Sequence, residues 1–167
     1  MIKAKEDNLQ KRFLFKLSAK IISIPVGFLS LMIVPRGLGV KSYGDYNFIT
    51  DFFTRLFGFL DSGTSTAFYT KISQRPQENT LLRFYWGFII IMGSIVFLLI
   101  LLLSILGLSK NIWIDQEPYL IWLGFFWGLL YWLNQIVQKI IDAYGLTVKG
   151  ELATIKKIII GFCLLLG

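Results

Sequence analysis

The 23 residues 84–106, FYWGFIIIMGSIVFLLILLLSIL, contain no charged side chain. A bilayer hydrocarbon core of ~30 Å is crossed by about 20 residues of α-helix, so this stretch is long enough to span. Working outward, four more apolar stretches appear, at about 17–35, 43–68, 119–141 and 155–167. Pro118 precedes the fourth and suits the first turn of a helix. The fifth offers only ten residues from Ile158 onward, about half a crossing. The expectation is an all-α polytopic bundle with four full spans and an incomplete fifth, the sequence being a fragment of a longer chain. Residues 1–13 form a basic N-terminal segment, and 14–167 belong to one transmembrane domain.

Composition agrees with a lipid solvent. Of 167 residues, 55% are hydrophobic and 16% aromatic, with a mean hydropathy of +0.65, beyond the range of ordinary soluble domains. The single cysteine, Cys163, excludes an internal disulfide, and the absence of histidine removes most zinc and acid–base chemistry. The first apolar run is too long for a signal-peptide core and lacks a small-residue cleavage site.

The net charge of +7 invites a nucleic-acid reading, but the positions of the charges argue otherwise. Alternate sides of the expected topology carry 13 and 3 basic residues, with Arg55 left inside the second span. The heavier side includes Lys3, Lys5, Lys11, Arg12, Lys16 and Lys20. Basic residues concentrate on the cytoplasmic side, so the N-terminus is placed inside and no nucleic-acid partner is expected. Phe84, Tyr85 and Trp86 at one helix start, and Trp113, Tyr119 and Trp122 near the opposite surface, fit interfacial aromatic belts. General aromatic richness is the competing explanation.

Polar residues inside the spans are informative because each needs protein or water beside it. At 100° per residue the second helix gathers Asn47, Asp51, Thr54, Arg55, Gly58, Asp61, Ser62 and Ser65 within an arc of about 120°. Phe48, Ile49, Phe52, Phe53, Leu56, Phe59 and Leu60 lie opposite, as a lipid-facing side. The first helix aligns Lys16, Lys20, Ser23, Gly27 and Ser30, with Pro25 as a kink on the other side. The fourth aligns Gly124, Gly128, Tyr131, Gln135, Gln138 and Asp142. Gly124 and Gly128 read best as sites of close helix packing. The third helix reads as structural or lipid-facing.

Arg55 decides most, since a charge near the bilayer centre costs about 2.5–3.5 kcal/mol on insertion scales. Asp51, one turn away, can neutralise it, which makes an internal salt bridge one reading. A hydrated cavity is the other, lined by Lys20, Asn47, Asp51, Arg55, Asp61, Gln135, Gln138 and Asp142. For Gln135 and Gln138, interhelical hydrogen bonding competes with substrate contact. No phosphate-binding glycine loop or nucleophile–base set is present, so neither an enzyme nor a cofactor or metal site is expected.

The stretch 32–73, MIVPRGLGVKSYGDYNFITDFFTRLFGFLDSGTSTAFYTKIS, resembles the N-terminal pattern of polysaccharide and lipid-linked oligosaccharide flippases of the multidrug/oligosaccharidyl-lipid/polysaccharide exporter superfamily. That pattern joins the first two helices by Arg-x-Leu-Gly-Pro-x-x-Tyr-Gly-x-Tyr. Here Arg36, Leu38, Gly39, Tyr43, Gly44 and Tyr46 occupy its places, and Val40 replaces the proline. Leu60, Gly63 and Lys71 match the pattern that closes the second helix. Arg36, Gly39, Gly44 and Tyr46 are expected to form a structural turn. The resemblance implies twelve to fourteen helices in two bundles around an alternating-access cavity. Its substrate would be an undecaprenyl-diphosphate-linked oligosaccharide of O-antigen or capsule type, in the bacterial plasma membrane. Lys20 and Arg55 would be candidates for the diphosphate. Membrane lipids and other polysaccharide assembly proteins are the further partners expected. A multidrug exporter of the same superfamily and a membrane-embedded polysaccharide polymerase or ligase are the alternatives.

Overall fold

A computed structural model describes residues 9–75, 78–114 and 116–166, leaving aside the side chains at 9 and 164–166. Lys3 and Lys5, used above in placing charge, lie outside the described residues. The described residues form seven helices and no strand: α1 Leu9–Leu38, α2 Val40–Asp61, α3 Thr64–Gln74, α4 Asn79–Ile105, α5 Ser109–Ile112, α6 Pro118–Ala143 and α7 Thr147–Leu166.

Three of them are long and apolar enough to cross a membrane, at Gln10–Leu38, Asn79–Ile105 and Pro118–Ala143. This corrects the expectation of four full spans and a partial fifth. The second expected span, 43–68, is divided. α2 ends at Asp61, and its 22 residues carry Lys41, Asp45, Asp51, Arg55 and Asp61, too many charges for an apolar window. α7 begins at Thr147, earlier than expected, and its first 11 residues hold Lys149, Glu151, Lys156 and Lys157. α1 runs without interruption through Pro25 and Pro35 to Leu38, past the expected end at 35.

The helix ends follow local backbone chemistry. α4 and α6 both terminate in a left-handed glycine, Gly107 at φ +70° and Gly145 at φ +75°. Around Gly145, Leu146 N–H donates to Ile141 O at 3.0 Å and Gly145 N–H donates to Asp142 O at 3.1 Å. Around Gly107, Leu108 N–H donates to Leu103 O at 3.0 Å and Gly107 N–H donates to Ser104 O at 3.2 Å. These paired bonds satisfy carbonyls that a helix end otherwise leaves bare.

Gly39 ends α1 in the same conformation, φ +78°. Its N–H donates to Pro35 O at 3.0 Å, and its carbonyl accepts from Tyr43 N–H at 3.0 Å. Of the four residues expected to form the turn, Gly39 alone does so. Arg36 lies in the last turn of α1, and Gly44 and Tyr46 are already helical in α2. One left-handed residue suffices to end α1, and the sequence after it resumes helix at Val40.

The described chain divides into two compact units, Met1–Tyr43 with Gln138–Gly167, and Gly44–Val137. In the first, α1 and α7 pack along each other, with Ala19, Thr147 and Val148 buried. Arg12 Nη2 donates to the carbonyl of Gly145 at 3.3 Å. Lys16 Nζ meets Asp142 Oδ2 at 2.7 Å. Gly150 sits where a Cβ would come 2.8 Å from Ile141 Cγ2.

The second unit is built on an aromatic core. Ile49, Phe53 and Phe57 bury one face of α2, and Ile121, Phe125, Trp132 and Ile136 bury one face of α6. The contact is close because α6 offers glycine. A Cβ at Gly128 would lie 2.8 Å from Phe53 Cβ and 3.0 Å from the Phe53 backbone carbonyl, and one at Gly124 would be 2.8 Å from Phe53 Cδ2. The close-packing reading of these two glycines holds. α4 buries Tyr85, Ile89, Gly93, Val96 and Ile100, spaced by three or four residues, and exposes its other sides.

Two expectations about aromatic and apolar residues are corrected here. Trp113 is 3% exposed and packs on Phe52 and Phe53, with ring centroids 5.7 and 6.2 Å away; it is a core residue and no part of an interfacial belt. Tyr85 is buried as well, stacked on Phe68 at 4.1 Å. Phe84, Trp86 and Tyr119 remain exposed, as belt residues would be. The apolar side of α2 is likewise divided between protein and surroundings. Ile49 and Phe53 are core, whereas Phe48 and Phe59 are exposed.

Candidate functional site

The polar side of α2 stands open. Arg55 Nη2 and Nε donate to Asp51 Oδ2 at 3.0 and 3.2 Å, and the two side chains are 81% and 68% exposed. The guanidinium expected to be buried is therefore not covered within the described residues. Asn47 is exposed one turn before Asp51, and Gly58 is exposed one turn after Thr54, with open space over its Cα. The reason for the division is direct: the bulky apolar residues of α2 seek the glycine face of α6, which turns the opposite arc outward.

Asp61 belongs to the same arc by helical angle yet has a different place. It lies ten residues beyond Asp51, or ~15 Å along a helix axis. Ser62 and Gly63 break the helix with φ of +36° and +83°, and the Asp61 carboxylate turns onto the start of α3. Oδ1 accepts from Thr64 Oγ1 at 3.0 Å and from Ser65 N–H at 3.1 Å. Oδ2 accepts from Ser65 Oγ at 2.5 Å. Tyr85 Oη of α4 donates to Oδ1 at 3.3 Å. An acidic side chain bonded to first-turn N–H groups caps a helix and complements its dipole. Asp61 is thus engaged in holding α3 to α2 and α4. Removing it as Asp61→Ala is expected to cost about 1–3 kcal/mol, since a buried hydroxyl and an orphan N–H lose their acceptor. Hydrogen exchange over residues 64–68 checks this, with faster exchange expected there than in α6.

The remaining expected site residues fall out as follows. Gln135 is exposed on α6 in the second unit. In the first unit, Lys20 is exposed, and among the described residues it makes no ion pair. Gln138 Nε2 donates to Thr154 Oγ1 at 3.3 Å, which favours the hydrogen-bonding reading for that residue. Asp142 takes the Lys16 ammonium, with side chains 49% and 28% exposed. So open an ion pair contributes ~1 kcal/mol at most. Asp51 and Arg55 are the two expected residues that the structure joins directly. Lys16, read only as part of the α1 polar arc, proves to be the partner of Asp142; its place one turn before Lys20 was the available signal. The Thr64–Ser65–Tyr85 set was missed as a unit. The run Asp61-Ser62-Gly63-Thr64 is a turn-and-cap signal that marks it.

Among the described residues no group of histidine, cysteine or carboxylate side chains is placed to hold a metal ion. The chemistry available on the open face of α2 is that of a guanidinium paired with a carboxylate, beside a carboxamide; the guanidinium can bind anions, and the carboxylate and amide can bind hydroxyl-rich groups.

The family profile described as "Polysaccharide biosynthesis protein" matches residues 9–144, most of the chain. The chain belongs to the polysaccharide biosynthesis protein family. With three helices apolar enough to cross a bilayer, it is a membrane protein of that family. Comparison with curated proteins and with solved structures gives no match.

Proposed function

We propose that this protein moves an undecaprenyl-diphosphate-linked oligosaccharide across the bacterial plasma membrane by alternating access, as a multi-pass transporter and not an enzyme. The observation that carries this is the Asp51–Arg55 pair, 68% and 81% exposed on a helix whose opposite face is packed on α6. α2 packs on α6, a helix apolar enough to cross the bilayer; at that depth acyl chains would be a poor environment for such a pair, and the face would require water or further protein. In the two-bundle transporter that the resemblance implies, a hydrated central cavity meets that need. Arg55, with its planar fork of donors, would hold the diphosphate. Asn47 and Gln135, in the same unit, would meet sugar hydroxyls. The glycan would be of O-antigen or capsule type.

Depleting the protein from cells tests this reading. The expected result is a build-up of lipid-linked glycan that a membrane-impermeant lectin or oxidant applied from outside cannot reach. Glycan that accumulates in reach of the outer probe would instead indicate a polymerase or ligase step, and unchanged glycan with altered drug efflux would indicate a multidrug exporter.

A further inference from the structure

In the second unit α4 and α6 enclose an open groove of about 370 Å³, lined by Trp86, Ile90, Ser94 and Phe97 of α4 and by Phe126 and Leu133 of α6, among others. Nearly all of its wall is apolar. Both helices are long and apolar enough to be membrane spans, so the medium outside the groove is acyl chain. From Trp86 to Phe97 the groove follows eleven residues of helix, ~16 Å, which is about the depth of one leaflet's hydrocarbon. One turn before Trp86 stands Arg83, exposed and without an ion-pair partner among the described residues. At 100° per residue Arg83, Ile90, Ser94 and Phe97 fall within about 60° of one another, so the cation heads the same face that lines the groove.

We infer that this groove is a seat for one anionic phospholipid, its acyl chain lying between α4 and α6 and its phosphate on Arg83. The arrangement has the two parts that such a lipid needs: an apolar slot of one leaflet's length, and a guanidinium with an indole at the headgroup end. The lipid here is a resident partner, separate from the glycolipid substrate and independent of the transport reading.

The test uses the full chain purified in mild detergent from membranes of phosphatidylethanolamine and phosphatidylglycerol, with the co-purified lipid identified by mass spectrometry. A favourable juxtamembrane cation contributes ~1 kcal/mol, or about fivefold. Phosphatidylglycerol is therefore expected to be retained about fivefold over its share of the bulk membrane. Arg83→Gln should reduce that preference to the bulk ratio, and Arg83→Lys should keep it. Ser94→Trp, which fills the groove from an exposed position, should lower total bound lipid with helix content by circular dichroism unchanged. A bulk lipid ratio in the native protein, or one unmoved by Arg83→Gln, overturns the inference. So does protein–protein cross-linking through Ser94→Cys in place of labelling by a photoactivatable acyl chain, because a helix would then occupy the slot.

Discussion

Arg55→Ala is expected to lower transport of the lipid-linked glycan by about 10- to 100-fold while leaving the protein in the membrane at its normal level. The two halves of that statement have separate causes. Arg55 and Asp51 are both more than two-thirds exposed, and an open pair four residues apart in a helix contributes only ~0.5 kcal/mol to stability. Folding should scarcely notice the loss. A charged hydrogen bond to a diphosphate in a cavity is worth about 1.5–3 kcal/mol, which is the fold-change given. Complementation of a deletion strain, read as surface glycan yield against protein level, measures both. The double exchange Asp51→Arg with Arg55→Asp sharpens the result. It restores the ion pair one turn displaced, so full activity there would mean that the pair serves structure only.

The second large effect is on folding. Gly128→Val should remove most folded protein from the membrane. A side chain at position 128 meets Phe53 at its Cβ and at its backbone carbonyl, and backbone cannot rotate away. Overpacking of this kind costs about 1–3 kcal/mol, enough to matter against the small net stability of a helical unit. Gly124→Ala meets side-chain atoms of Ile49 and Phe53, which can shift, and should be milder. Gly87→Ala, with open space above it, serves as the control that changes nothing. Thermal unfolding in detergent, followed by loss of the folded band, checks the order of the three.

The helical, membrane character of the chain was legible in its sequence because hydropathy acts over whole segments: 23 uncharged residues at 84–106 can hardly be anything else. The polar arc of α2 was legible for the same reason, since its period follows from helix geometry alone. What stayed hidden depends on contacts between distant residues. Asp61 shares the angular position of Arg55, and only the left-handed Ser62 and Gly63 turn it from the stripe into a cap on α3. Trp113 has the composition of a belt residue, yet the space beside Phe52 and Phe53 draws it into the core. Gly124 and Gly128 were placed on the polar arc of α6, but they are buried against α2 while Tyr131 and Gln135 of that arc are exposed. A single angular stripe thus serves packing at one end and surroundings at the other, a division that periodicity cannot express.

The claim on which the transport mechanism rests is that the face of α2 bearing Arg55 meets water. Thiol labelling tests it most directly: Arg55→Cys in a Cys163→Ala background, in intact membranes, with a small charged maleimide and a lipid-soluble quencher as the two probes. The proposed cavity predicts fast maleimide reaction at position 55 and no quenching from the acyl region. Quenching by the lipid-soluble probe together with protection from maleimide would contradict it, because the polar face of α2 would then lie against the bilayer.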